Sequence, residues 1–253
     1  MNYIFPNCIG GIMLNRLNEV NIKTKISVLL LLFAASVLCL MLGSYLRAYT
    51  NRDIYRFLYW NMFLAWMPAG FAMLMDWIYV YIQKNRGLRV ILFIGAGILW
   101  LLFYPNSAYL ITDQLHPFVK FQSEYGMRFW QGIEFWYHLL LFFSAAVIGL
   151  LLGVYSMLSV QELVRRSFGR AKSWIFAVVT LALTSLGIYL GRFIRWNSWD
   201  AIRSPQQIVH EVLTMLTDVQ ELRRMIPFTG IIMMILLFSY LIIVGFSMMR
   251  QQK

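Results

Sequence analysis

Six separate stretches of this sequence are long and apolar enough to cross a lipid bilayer, and this feature most constrains how the chain can fold. A helix needs about 20 predominantly apolar residues to span the hydrocarbon core. Residue ranges 27–46, 57–82, 88–104, 134–158, 174–195 and 228–249 meet this length. Backbone polar groups find no water inside lipid, so each span is predicted to be an α-helix.

The composition favours the same fold class. Hydrophobic residues make up 60% of the chain and charged residues 13%, and the charged share is about half that of a soluble domain. The first apolar run is too long for a signal-peptide core, and no small-residue cleavage site follows it. The prediction is an all-α, polytopic integral membrane helical bundle over residues 27–253, with a separate N-terminal segment at 1–26.

The net charge of +11 does not indicate a nucleic-acid partner. The basic residues lie singly between apolar runs and form no continuous stripe. Cys8 and Cys39 provide no disulfide framework and are interpreted as inert. We expect membrane lipids around the chain, no nucleic acid and no cofactor.

The charges between the spans indicate an orientation. With the N-terminus in the cytoplasm, 12 of the 22 Lys and Arg residues fall inside, a thin positive-inside bias. The acids separate more clearly, because eight of the eleven fall outside. We therefore predict a multi-pass protein of the cytoplasmic membrane with both termini cytoplasmic. The outer acids are Asp53, Asp113, Glu124, Glu134, Asp200, Glu211, Asp218 and Glu221.

Hydrogen-bonding side chains gather where the third span ends, in FYPNSAYLITDQLHP at 103–117. If the chain stays helical past Pro105, four of them recur at i, i+3, i+7 and i+10 and share one face. Pro117 is predicted to end this extension. The four residues are Asn106, Tyr109, Asp113 and His116.

A second polar cluster, GRFIRWNSWD at 191–200, maps to the same outer side. Arg192 and Arg195 are spaced to share a helix face, and Asn197 and Asp200 form another i, i+3 pair. Guanidinium groups suit carboxylates and phosphates, so this cluster could clamp an anionic ligand. It could equally pair with nearby acids or with lipid headgroups.

Further polar residues map near these clusters. Asn61 lies one turn inside the second span and is either a ligand contact or an interhelical hydrogen bond. His116, His138 and His210 all map outside with a carboxylate nearby, but their spacing matches no tight zinc motif. We therefore predict no metal, with these three histidines as the candidates otherwise. Asp76 is the one acid deep in a span and is read as a buried pair, a hydrated pocket or an ion relay.

The segment 205–226 is too polar to span the membrane. Ser204 and Pro205 are typical of a helix start, and apolar residues then recur at helical spacing. We predict an amphipathic helix on the outer surface, ended by Pro227. It could cover the polar cluster or dock a partner.

Three blocks of this sequence resemble a known family. NMFLAWMPAGFA (61–72), FYPNSAYLITDQLH (103–116) and GRFIRWNSWD (191–200) are similar to the signature blocks of a bacterial polytopic membrane family, domain of unknown function 1361. The resemblance covers roughly residues 45–220 and implies a multi-spanning bacterial protein. It implies no agreed activity.

Three function classes remain open at this point. The first is a protein that binds or transports an anionic small molecule or lipid headgroup through its outer polar residues. The second is a membrane-embedded enzyme of envelope or lipid metabolism, with Asp113 or His116 as acid or base and the arginines on a phosphate. The third is an accessory subunit that packs against another membrane protein. The substrate-binding candidates are Asn61, Asn106, Tyr109, Arg192, Arg195, Asn197 and Asp200.

Overall fold

The computed structural model describes residues 21–121, 125–126, 128–196 and 198–251, and over these residues it is helical, without strands. The long helices are α1 (Ile22–Thr50), α2 (Phe57–Tyr81), α3 (Arg86–Tyr109), α5 (Ile133–Phe168), α6 (Arg170–Tyr189) and α9 (Val219–Gln251). The short helices are α4 (His116–Lys120), α7 (Asp200–Arg203) and α8 (Pro205–Thr217). Among the described residues six helices are long and apolar enough to cross a membrane, which confirms the predicted all-α membrane bundle.

The 36-residue helix α5 lies at the centre of the bundle. One group of buried apolar side chains joins it to α1 and α2, around residues such as Leu46, Met62 and Phe142. A second group joins it to α2, α3, α6 and α9, around residues such as Trp100 and Met157. The other spans therefore pack on α5 from several sides, and 17 of its 36 residues are buried.

Small residues let α3 approach its neighbours closely. A Cβ atom on Gly149 of α5 would lie 2.2 Å from the Ser107 carbonyl oxygen of α3. A Cβ atom on Gly187 of α6 would lie 2.9 Å from the Pro105 ring. Without a hydrophobic driving force between helices in lipid, such close contacts give the packing energy that holds spans together. They also fix the position of the polar residues that follow in α3.

The two ends of the bundle differ in charge. We call the end with residues 51–56, 110–121 and 190–218 the Asp113 end. The opposite end, with α1's first turn and the α2–α3 and α5–α6 connections, is the Lys25 end. In the described chain, most of the acidic residues lie at the Asp113 end. The Lys25 end carries Lys23, Lys25, Lys84, Arg86, Arg89, Arg165, Arg166, Arg170 and Lys172.

The extension beyond the third span is helical but ends later than predicted. Pro105 lies inside α3, which continues to Tyr109 and then tightens into a 3-10 turn over Leu110–Leu115. The prediction that Pro117 ends the extension is wrong. Pro117 occupies the first turn of α4, where its missing N–H group costs no hydrogen bond, and helix continues to Lys120.

The predicted amphipathic helix at 205–226 divides into two. The α8 helix stops at Thr217, and α9 begins at Val219 and passes through Pro227. Asp218 makes the break, because its carboxylate accepts a hydrogen bond from the Gln220 backbone at 2.8 Å. The prediction that Pro227 ends the surface helix is therefore wrong. Proline is tolerated inside a membrane helix when hydroxyl side chains bond nearby carbonyls, as Thr229 does with Met225.

Candidate functional site

A cavity of about 730 Å³ lies at the Asp113 end, between α2, α3 and α6. Its upper part, which we define as the part next to Asp113, is lined by side chains with hydrogen-bonding groups. Its lower part, toward the Lys25 end, is lined by aliphatic side chains. The upper lining residues are Trp60, Asn61, Asn106, Tyr109, Asp113, His116, Arg192, Trp196 and Ser198. Three stretches that are far apart in the sequence thus contribute to one cavity.

Asp113 is the most deeply placed charged group in this cavity. Its side chain is only 2% exposed. One carboxylate oxygen accepts a hydrogen bond from the Asn61 amide at 2.8 Å. The other lies 3.6 Å from His116 Nε2 and 3.8 Å from Arg192 Nη1. Asp113 therefore sits behind the histidine and the arginine and holds both beside the cavity.

His116 and Arg192 line the cavity and are partly exposed, so an occupant can reach them. Their side chains are 27% and 24% exposed, in contrast to Asp113. The His116 ring is held between aromatic neighbours, 4.6 Å from the Phe57 ring and 5.4 Å from the Phe142 ring by centroid. Packing of this kind fixes the ring's direction, so Nε2 keeps its place near Asp113.

A π-helical turn explains why Arg192 reaches the cavity and Arg195 does not. Leu190–Ile194 form this wider turn at the end of α6. Arg195 follows it with a left-handed backbone, at φ 67°. The expected shared helix face of the two arginines is therefore wrong, because the α-helical spacing is lost between them. Arg195 is exposed and is not among the cavity-lining residues.

Asn106 and Tyr109 shape the wall between α3 and the chain after α6. The Asn106 amide donates to the Ser198 hydroxyl at 2.9 Å, and Ser198 donates to the Leu102 carbonyl at 3.1 Å. The Tyr109 ring packs on Gly191, where an added Cβ would be 3.3 Å from the ring. These contacts bring the 191–200 block onto α3.

The α8 helix covers one edge of the cavity. Ile208 of α8 is a lining residue. The Glu211 carboxylate accepts a hydrogen bond from the Trp196 indole, and Trp196 also lines the cavity. The amphipathic helix thus lies against the cavity at one edge, next to Trp196.

The lower part of the cavity is apolar and open to the side. Ile98, Leu101 and Leu183 line it. Ile98 is 62% exposed, although it lies in the middle of a span. Side chains exposed at this depth face lipid, so the cavity has a polar end and a lateral, hydrocarbon-facing opening.

Two further predicted residues lie elsewhere. Asp200 begins the four-residue helix α7 and is not among the cavity-lining residues. Asn197 falls outside the described residues. Sequence reasoning missed Ser198 and the Trp196–Glu211 bond as parts of this site. Both are side-chain contacts between distant segments, and no periodic pattern signals them.

The three predicted histidines do not meet. His138 is fully buried in α5, where Nδ1 is 2.5 Å from the Tyr55 hydroxyl and Nε2 is 3.3 Å from Glu134. Burial, and then the nearby Glu134 carboxylate, raise the pKa of the Tyr55 hydroxyl. In a neutral ring whose Nε2–H donates to Glu134, Nδ1 accepts, so the Tyr55 hydroxyl donates the first of these bonds. His210 is exposed on α8. Over the described ranges, no group of three or more His, Cys, Asp or Glu side chains is arranged to hold a metal ion.

Asp76 forms a separate buried cluster near the Lys25 end. Its carboxylate is 2.5 Å from the Lys25 ammonium and accepts a hydrogen bond from Ser159 at 2.8 Å. Asp76 is 1% exposed and Lys25 15% exposed. Of the interpretations left open for Asp76, the structure shows the buried pair, and its partner comes from α1. The pair fastens α1 to α2 and α5.

Comparison with known proteins gives one family match. A family model described as "Protein of unknown function (DUF1361)" matches residues 60–244. These residues include every described part of the cavity except Phe57. No curated protein and no solved structure matches the chain.

Proposed function

The chain belongs to the family of proteins of unknown function DUF1361, and from this premise we propose that it binds an amphipathic lipid with an anionic headgroup in the cavity at the Asp113 end. The observation that carries this proposal is the layout of the cavity. Its charged and hydrogen-bonding side chains lie at one end, and exposed aliphatic side chains continue from them toward the membrane interior. A lipid has the same two parts in the same order.

The charges of the upper cavity favour an anion. Arg192 is positive, His116 adds a second positive charge when it is protonated, and Asp113 supplies one negative charge behind them. An arginine has five N–H donors, more than one carboxylate oxygen at 3.8 Å takes up. Donors therefore remain for a phosphate or carboxylate in the cavity.

The position of Asp113 indicates a supporting role. A carboxylate that is 2% exposed and bonded to Asn61 has little contact with an occupant. It instead orients His116 and Arg192 before a ligand arrives, and such preorganisation lowers the cost of binding. In this proposal Asp113 is a positioning residue, and Asn106, Tyr109 and Ser198 add hydrogen bonds around the headgroup.

The charge difference between the two ends suggests which leaflet supplies the lipid. The basic Lys25 end fits the cytoplasmic side under the positive-inside rule. The headgroup would then be taken from the opposite, non-cytoplasmic leaflet. The lateral opening beside Ile98 and Leu183 would admit it from within the membrane.

Arg192→Gln tests the proposal, and Arg195→Gln is its matched control. The two arginines lie three residues apart, but only Arg192 lines the cavity. Native mass spectrometry of the detergent-purified protein, titrated with dioleoyl phosphatidic acid, measures the affinity. Because a charge-assisted hydrogen bond contributes about 1.5–3 kcal/mol, Arg192→Gln is expected to weaken binding at least about ten-fold. Arg195→Gln is expected to bind like the unmodified protein.

Two further affinities identify the ligand's source. Weaker binding of phosphatidylcholine than of phosphatidic acid would show that the anionic headgroup is recognised. Weaker binding of inorganic phosphate than of phosphatidic acid would show that the ligand is a lipid and not a free anion. Equal affinity of the Arg192→Gln and Arg195→Gln variants for phosphatidic acid would overturn the proposal. Equal binding of phosphatidylcholine would show that the headgroup charge is not recognised.

One observation favours an enzyme as the second candidate. His116 lines the cavity, and its Nε2 lies 3.6 Å from the Asp113 carboxylate, so a histidine–carboxylate pair suited to acid–base chemistry adjoins the space for a bound headgroup. His116→Gln distinguishes the two functions in cells that lack the native gene. An accumulated lipid precursor in their extracts would indicate a reaction, whereas unchanged lipid composition with retained binding in vitro would indicate a binding protein.

A further inference from the structure

The apolar part of the cavity does not end in the middle of the bundle. A second cleft of about 350 Å³ lies between α3, α5 and α6, toward the Lys25 end. Its lining includes Phe93 and Gly97 of α3, Val164 of α5 and Phe176 of α6. Ile98 and Leu101 line both this cleft and the cavity described above. The two spaces therefore adjoin along the same side of α3.

Helical spacing shows that the two spaces follow one line. On α3 the lining residues Ile94, Ile98, Leu101 and Pro105 recur every three or four positions. On α6 the lining residues Phe176, Leu183, Gly187 and Leu190 are separated by seven, four and three positions. Both spacings keep residues on one helix face. The result is an apolar groove along α3, bordered by α6 beside the first cavity and mainly by α5, with Phe176 of α6, at the second cleft.

The groove is longer than one membrane leaflet. The hydrocarbon core of a bilayer is about 30 Å thick, so one leaflet provides about 15 Å. Asn106 in the polar part and Phe93 in the second cleft are thirteen residues apart in one helix, which is about 20 Å at 1.5 Å per residue. Phe168, another lining residue, is the last residue of α5. The groove therefore passes the midplane toward the Lys25 end.

We propose that the lipid bound in the cavity carries a hydrocarbon chain longer than one leaflet, and that this chain lies in the groove along α3. The inference rests on the proposed lipid-binding function. A phosphate ester of a long isoprenoid or very-long-chain alcohol has the required single chain. An ordinary diacyl phospholipid has two chains, each matched to one leaflet, and would leave the second cleft unfilled.

Gly97 provides a way to test this chain position. Gly97 lines the second cleft, and a Cβ atom built on it meets no heavy atom within 4 Å, so a side chain at this position can extend into the groove. Gly95, two residues earlier in α3, also has open space around its Cβ position. Gly95 is exposed and lines neither space, so it provides a matched control on the same helix.

The experiment compares Gly97→Phe with Gly95→Phe. Native mass spectrometry measures the affinity of each detergent-purified variant for undecaprenyl phosphate and for farnesyl phosphate, which share the headgroup type but differ in chain length. We expect the unmodified protein to bind undecaprenyl phosphate at least about five-fold more tightly than farnesyl phosphate. Because detergent and groove are both apolar, this preference comes from packing contacts along the longer chain. Gly97→Phe should remove this preference and leave farnesyl phosphate binding unchanged, whereas Gly95→Phe should keep both affinities.

The possible failures are distinguishable. If Gly97→Phe and Gly95→Phe favour the long chain equally, the chain does not lie in the groove. If the unmodified protein binds dioleoyl phosphatidic acid as tightly as undecaprenyl phosphate, the long-chain assignment is wrong. After either result, the headgroup site is still supported if Arg192→Gln weakens the binding of both undecaprenyl phosphate and farnesyl phosphate. An Arg192→Gln variant that binds both phosphates normally overturns the proposed function itself.

Discussion

At the scale of single residues, the same side-chain type has different roles at the two ends of the bundle. Asp113 is nearly enclosed, but its partners His116 and Arg192 face a cavity. Asp76 is equally buried, and its partners Lys25 and Ser159 come from other helices. The first carboxylate holds groups toward an open space, whereas the second joins three helices.

Asp76→Asn is expected to destabilise the fold. Removing one partner of a buried ion pair costs about 3–5 kcal/mol, because the other charge stays behind unpaired. Lys25 is partly exposed, so the lower value applies, and the thermal midpoint should fall by about 6–12 °C. A thermal unfolding assay in detergent measures the change. The control Asp53→Asn removes an exposed acid paired with Arg56 and should change stability little. Equal midpoints for both variants would contradict the structural role of the pair.

At the scale of helices, the close approach of α3 and α5 positions the polar residues. Gly149 lies against the Ser107 carbonyl, six residues before Asp113. The cavity therefore depends on a contact that contains no polar site residue. Any side chain at Gly149 must separate the two helices, since backbone atoms cannot rotate aside as a flexible side chain can.

Gly149→Ala is expected to lower both stability and ligand binding. The added Cβ would be 2.2 Å from a backbone oxygen, and overpacking of this kind typically costs about 1–3 kcal/mol or more. Thermal unfolding and phosphatidic acid binding measure the two effects. Gly95→Ala, with open space around the new Cβ, is the control and should match the unmodified protein. A fully stable Gly149→Ala variant would show that the two helices are not in contact here.

A side-chain hydrogen bond from Trp196 to Glu211 ties α8 to the cavity edge. Trp196→Phe removes the indole donor to Glu211 and keeps an aromatic ring. Hydrogen exchange in residues 205–217 should become faster, because the helix is exposed and loses this tie. Trp199→Phe is the control. It makes the same change of tryptophan to phenylalanine at a residue whose ring packs on Phe103 of α3, so exchange in residues 205–217 should stay unchanged. Unchanged exchange in Trp196→Phe would mean that other contacts hold α8.

At the scale of the whole molecule, the described residues form six helices long and apolar enough to cross a membrane, and we expect them to place the two charge-distinct ends on opposite membrane surfaces. Single cysteines at Asp53, Asp218, Asn85 and Lys172, in a background without Cys8 and Cys39, test this arrangement in intact cells. A membrane-impermeant maleimide should label positions 53 and 218 and spare 85 and 172. The reverse pattern would invert the predicted orientation. Labelling of only one position from each pair would contradict the six-span topology.

The sequence predicts a site residue correctly where regular helical spacing alone decides its position. Asn106, Tyr109, Asp113 and His116 all line the cavity because α3 and its 3-10 extension stay helical over those residues. Arg195 was expected beside Arg192 on the same reasoning, but a π-helical turn changes the spacing there. One unseen turn of backbone was enough to place one arginine inside the site and the other outside.

The sequence alone determined that this chain is a membrane bundle of six spans, because lipid imposes its length and polarity requirement on each segment separately. Only the tertiary structure decided which polar residues share a cavity and how far the groove beside it extends. Those properties depend on where α6 packs on α3, on the one-residue break at Asp218, and on glycine contacts between helices that lie far apart in the chain. Such contacts leave no periodic trace in the residues that make them.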